Sequence, residues 1–84
     1  MVYYLITCRS LTYAQKAARA LERAGITAVI MRTPKGLSKE GCSYCVKVSE
    51  RRGTLALSIL RESDTRVSRA FLQYPTGETR EVSV

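Results

Sequence analysis

The chain contains no histidine, so a Ser-His-Asp triad is excluded, and a zinc site within one chain has only three cysteines to draw on where structural zinc takes four ligands. Glycine-rich phosphate loops and carboxylate pairs on a recognisable catalytic scaffold are also missing. Hydrolase chemistry is therefore disfavoured. No apolar run approaches the roughly 20 residues needed to cross a bilayer, and the N-terminus lacks the basic stretch, apolar segment and small-residue cleavage site of a secretory leader. These absences set the expectation of a cytoplasmic protein with no membrane partner, whose three cysteines are reduced. There is no linker, low-complexity segment or internal repeat beyond an approximate duplication of strand and helix.

Acidic residues are scarce as well: seven Asp and Glu stand against fourteen Lys and Arg, a formal charge of +7. Such a balance attracts anionic partners, yet the basic residues are dispersed, and the simplest reading is a solvated surface. With 84 residues, 45% of them hydrophobic and 25% charged, the chain suits one small folded domain without a deep enclosed cavity.

Local patterns then order the elements. Residues 2–7, rich in aromatic and β-branched types, read as a strand. Ser10 is a helix cap, and Leu11, Ala14, Ala17, Ala18, Leu21 and Ala24 recur at helical spacing as far as a stop at Gly25. A second strand is predicted over residues 26–32, ended by Thr33-Pro34, and a third over 45–48. Ser49 is placed as the cap of a second helix over residues 50–62, with Leu55, Ala56, Ile59 and Leu60 as its buried stripe and Gly53 weakening its first turn. A fourth strand over 67–74 stops at Pro75-Thr76-Gly77, leaving residues 76–84 as a hairpin return or tail after a single domain over 1–75. The expected class is α+β: a ferredoxin-like β-α-β-β-α-β unit with a four-stranded antiparallel sheet and two helices on one face. If Tyr3 and Leu5 face away from the helices, their apolar surface makes a homodimer a secondary expectation.

In that topology Cys8, Arg9, Lys35, Lys39, Cys42 and Cys45 gather at one end of the sheet. The feature that stands out there is Cys42-Ser43-Tyr44-Cys45, two thiols at the spacing of redox exchange or metal ligation. Thioredoxin-like enzymes put such a pair at a helix start, whereas this one precedes a strand. Cys42, beside Gly41 in a basic loop, is the candidate nucleophile or sulfur-carrying residue, and Cys45 the candidate resolving thiol. Arg9, Lys35 and Lys39 support a thiolate. Cys8 shares strand parity with Tyr4 and Ile6 and is read as a small core residue. The third strand lacks the aromatic pattern on which RNA-recognition modules stack bases.

Tyr4-Leu5-Ile6-Thr7 entering Ser10 and the alanine-rich helix, Ala24-Gly25-Ile26, Thr33-Pro34 with Leu37-Ser38, and Gly41-Cys42 before Val46-Lys47-Val48 occur in an order that resembles the bacterial selenium/sulfur carrier protein-like family. The resemblance places the family's cysteine at Cys42, where the following residue, commonly glycine, is Ser43. It implies a carrier of sulfur or selenium that needs no cofactor, takes its atom from a donor protein and yields it to an acceptor, by carrier-type thiol chemistry rather than classical enzyme turnover. The competing reading is a noncatalytic basic module that binds RNA or an acidic protein.

Overall fold

A computed structural model describes residues 1–34, 36–37, 44–63, 65 and 67–82 of the chain. Among them the chain forms β1 (Tyr3–Cys8), α1 (Leu11–Arg23), β2 (Val29–Arg32), β3 (Tyr44–Ser49), α2 (Glu50–Glu62), β4 (Arg69–Gln73) and β5 (Thr79–Val82). The strands make one antiparallel sheet in the order β2-β3-β1-β4-β5. The protein is thus α+β with two helices, but its sheet has five strands where four were expected. The fifth arises at Pro75-Thr76-Gly77. Gly77 takes a φ of 93° and donates to the Tyr74 carbonyl, while the Tyr74 amide donates to Glu78. This turn folds the chain back on β4 and pairs a sheet edge that would otherwise stand open.

Strand alternation divides the sheet into two faces. Ile6, Cys8, Val46, Val48 and Ala70 pack under α1 and α2 against Ala14, Ala17, Leu21, Ala56 and Leu60. Small alanines on α1 let the helix approach the sheet closely. Leu5, Cys45 and Phe71 point the other way and form a second buried cluster, with Met31 and Leu37 packed on it. Each fully buried Leu or Ile in these clusters stabilises the fold by about 1.5–3 kcal/mol relative to exposure.

The ends of α1 match the sequence reading. Ser10 is extended and its hydroxyl accepts the Tyr13 amide at 3.3 Å. At the other end Gly25 has a φ of 82° and donates to Glu22, while Ile26 donates to Leu21, the paired bonds of a Schellman stop. Ile26 is spent as the buried plug of that stop, which is why β2 starts at Val29 and not at residue 26. Leu11, assigned to the buried stripe, is 42% exposed.

At α2 two expectations are corrected. Ser49 occupies the cap position but makes no capping hydrogen bond, because it is still the last residue of β3; the strand runs into the helix without a loop. The Glu50 amide donates instead to Val2, and the Glu50 carboxylate supplies the negative charge favoured in a first helical turn. Leu55 is 49% exposed, and the buried face consists of Gly53, Ala56 and Leu60. Of the expected stripe, Ala56 and Leu60 are buried and Ile59 packs half-buried against the same core, so Leu55 alone falls outside it, and Gly53 is the buried residue that hydrophobicity misses.

Candidate functional site

The end of the sheet where β1 finishes and β3 begins holds the described candidate residues. Thr7 lies opposite Cys45 and Cys8 opposite Tyr44 in the β1–β3 register. Arg9 is exposed just beyond β1, and the Arg32 guanidinium stands 5.7 Å from the Tyr44 ring centre. Lys35, Lys39 and Cys42 lie outside the described residues.

Cys8 and Cys45 reach the same end of the sheet but not the same face. The Cys8 thiol is fully buried under the helices, 3.8 Å from the Ile6 carbonyl oxygen. Cys45 is fully buried on the opposite face beside Leu5 and Phe71. With the sheet between them, these two thiols cannot ligate one metal ion. Among the described residues no three His, Cys, Asp or Glu side chains converge as a metal cluster.

Burial pushes the Cys45 thiol above its ordinary pKa, and two smaller effects pull it back: the nearby Thr33 hydroxyl and the charge of Lys47. The Thr33 hydroxyl is itself buried without an aligned hydrogen-bond partner among the described residues, so its influence on Cys45 is one of proximity and not of a well-formed bond. The net result is a thiol kept protonated near neutral pH, the opposite of an activated nucleophile.

The cluster that holds Cys45 is closed within the chain. Leu5, expected to offer apolar surface to a second copy, has no exposed area, and Leu37 packs against its cluster. Cations roof the aromatic rings alongside: Lys47 Nζ sits 4.4 Å from the Tyr3 ring centre and the Arg69 guanidinium 5.1 Å from that of Phe71. Leu5 thus has nothing to offer a second copy, while Tyr3 and Met31 stay half-buried and Val29 is exposed on the same face; among the described residues nothing supports the homodimer expectation. Thr7 is buried there too, its hydroxyl accepting the Arg69 amide at 2.9 Å and donating to the Arg69 carbonyl at 3.1 Å. Sequence reasoning passed over Lys47 and Thr33. Lys47 was within reach, since it follows Cys45 by two residues and so shares its face. Thr33 carries no local signal, because only the fold brings it to the thiol.

The class defined by these elements is a small α+β domain with two buried thiols on opposite faces of one sheet end and a third cysteine in the segment before β3. A family model described as "Putative Se/S carrier protein-like" matches residues 3–71. The chain belongs to that family, which agrees with the resemblance read from its motifs. No curated protein and no solved structure matches the chain. Among the described residues no helix is long and apolar enough to cross a membrane.

Proposed function

We propose that this protein carries sulfur or selenium between a donor and an acceptor protein in the cytoplasm, with Cys42 as the residue that holds the atom. The observation that carries the assignment is the partition of the thiols. Cys8 and Cys45 are each fully buried, on opposite faces of the sheet, and in a family of carrier-like proteins the role then falls to Cys42.

Loading is a thiol exchange. The Cys42 thiolate attacks the terminal sulfur of a donor persulfide, a new S–S bond forms, the donor's S–S bond breaks, and the donor leaves as a thiolate. Delivery is the same step in reverse roles: a nucleophile of the acceptor takes the terminal atom and Cys42 leaves as a thiolate. No external oxidant or cofactor is needed. Arg9, with Lys35 and Lys39 in the segment before Cys42, supplies positive charge for the anion. Cys45 keeps the role of resolving thiol, and its burial makes that role slow: to attack a loaded Cys42 and expel hydrogen sulfide, it must first leave its cluster. The order β2-β3-β1-β4 supports a ferredoxin-like reading of the first four strands, with β5 as an addition.

Intact mass spectrometry after incubation with a persulfide donor tests the assignment. The wild type and Cys45→Ser should each gain one sulfur, and Cys42→Ser none. An adduct that persists in Cys42→Ser overturns it, and strong salt-dependent RNA binding with no adduct places the chain with the basic binding modules.

A further inference from the structure

We infer that the end of the sheet away from the cysteines holds a second site, one that takes a small organic phosphate. A cavity of about 410 Å³ opens there, within the size range of small-ligand sites. Tyr3, Lys47 and Ser49 line it from the central strands, and Arg52 lines it from the first turn of α2. Val29, 48% exposed at the start of β2, gives it an apolar side.

Charge selects the ligand class. The lining contains two cations and no carboxylate. Neither Lys47 nor Arg52 belongs to an ion pair among the described residues, where the Arg69–Glu81 pair is the sole salt bridge. A second cavity, about 330 Å³ beside α1, sets Arg19 together with Glu22 and so offers no net charge to an anion. Lys47 is also held in place, its ammonium 4.4 Å from the Tyr3 ring centre, so less side-chain freedom is lost when it meets a ligand.

Hydroxyl groups refine the choice. Ser49 makes no capping bond, which leaves its hydroxyl for a ligand, and Thr27 adds a second hydroxyl to the lining. Two cations and two neutral donors match a doubly charged phosphate with three terminal oxygens better than a singly charged carboxylate with two. The exposed Val29 side chain would be wasted on inorganic phosphate, and a short hydrocarbon or ring on the phosphate covers it. The site shares no residue with the proposed carrier cysteines, and its occupancy does not depend on the carrier reading.

Phenyl phosphate, inorganic phosphate and benzoate are the probes, titrated into the full chain with amide NMR shifts as the readout. Phenyl phosphate should give saturable shifts at Gly25, Thr27 and Ser49 with a dissociation constant below about 1 mM at low salt, weakening as salt is added. Inorganic phosphate and benzoate should each bind several-fold more weakly. Arg52→Ala, at an exposed helix position, should weaken phenyl phosphate about tenfold, with Arg52→Lys recovering part of the loss; Lys47→Gln should act in the same direction while the amide spectrum stays dispersed. The inference is overturned if phenyl phosphate fails to saturate by about 10 mM, if inorganic phosphate or benzoate binds equally well, or if Arg52→Ala leaves affinity unchanged.

Discussion

Gly53 of α2 lies directly against the ring of Tyr4 in β1, so closely that a Cβ at position 53 would overlap the ring carbons. The glycine that weakens a helix on propensity grounds is therefore the contact that lets α2 seat on the sheet.

Gly53→Ala should accordingly destabilise the protein. Alanine gains up to about 1 kcal/mol in helix propensity, but forcing a methyl group into an aromatic ring costs typically about 1–3 kcal/mol. Urea denaturation should show a lower midpoint with little change in slope, and Gly53→Ala in a Tyr4→Ala background should lose that penalty. A higher midpoint for Gly53→Ala alone would mean that the Tyr4 ring moves aside at no cost.

Thr7→Val should cost about 1–3 kcal/mol although the two side chains are nearly isosteric. The hydroxyl bonds both the amide and the carbonyl of Arg69, and valine leaves those backbone groups without their partner in a buried strand pair. Equal stability of Thr7→Val and wild type by denaturant titration would show that the two strands re-form these bonds by themselves.

For Cys45 the pH dependence has a definite sign. Burial raises the folded thiol's pKa, so the folded state holds the proton more tightly than the unfolded chain. The resulting stabilisation is fully present below the unfolded thiol value of about 8.5 and is lost as pH rises through the folded one. The stability advantage of wild type over Cys45→Ala should hold constant up to about pH 8 and shrink above it. An advantage that grows with pH would reverse the sign and place a stabilised thiolate at this position.

The lifetime of a sulfur adduct on Cys42 should depend on urea well below the unfolding transition. In buffer, wild type and Cys45→Ser should hold the adduct for similar times, because the Cys45 thiol is enclosed. With mild urea the wild type should lose it faster, releasing hydrogen sulfide and forming the Cys42–Cys45 disulfide, while Cys45→Ser stays slow. Rapid loss from wild type in plain buffer would show that Cys45 reaches the adduct without leaving its cluster.

Much of the framework could be read along the chain because its signals are local. Ser10 and Gly25 bracket α1 through caps that act within a few residues, and the alternation in β1 sorts Ile6 and Cys8 from Leu5 and Thr7. What escaped depends on contacts distant in sequence. The strand Thr79-Arg80-Glu81-Val82 has almost no apolar pattern of its own and exists through its pairing with β4. Leu55 looks like core by hydrophobicity, yet Gly53 faces the sheet because Tyr4 needs the space. The enclosure of Cys45 was hidden for the same reason: its parity with Lys47 suggests an outer face, and Leu5 and Phe71, remote in the chain, enclose it together with Met31 and Leu37.

The direct passage of β3 into α2 at Ser49 and Glu50 behaves as a rigid splice. One residue added there would turn α2 by about 100° about its axis, setting Arg52 where Gly53 now lies against the Tyr4 ring and the bulkier Leu55 where Ala56 is buried. The turn between Tyr74 and Thr79 connects two strands at the sheet margin and tolerates changes of length far better. Length variation among natural or engineered versions of this chain should therefore accumulate at the second junction and be excluded from the first.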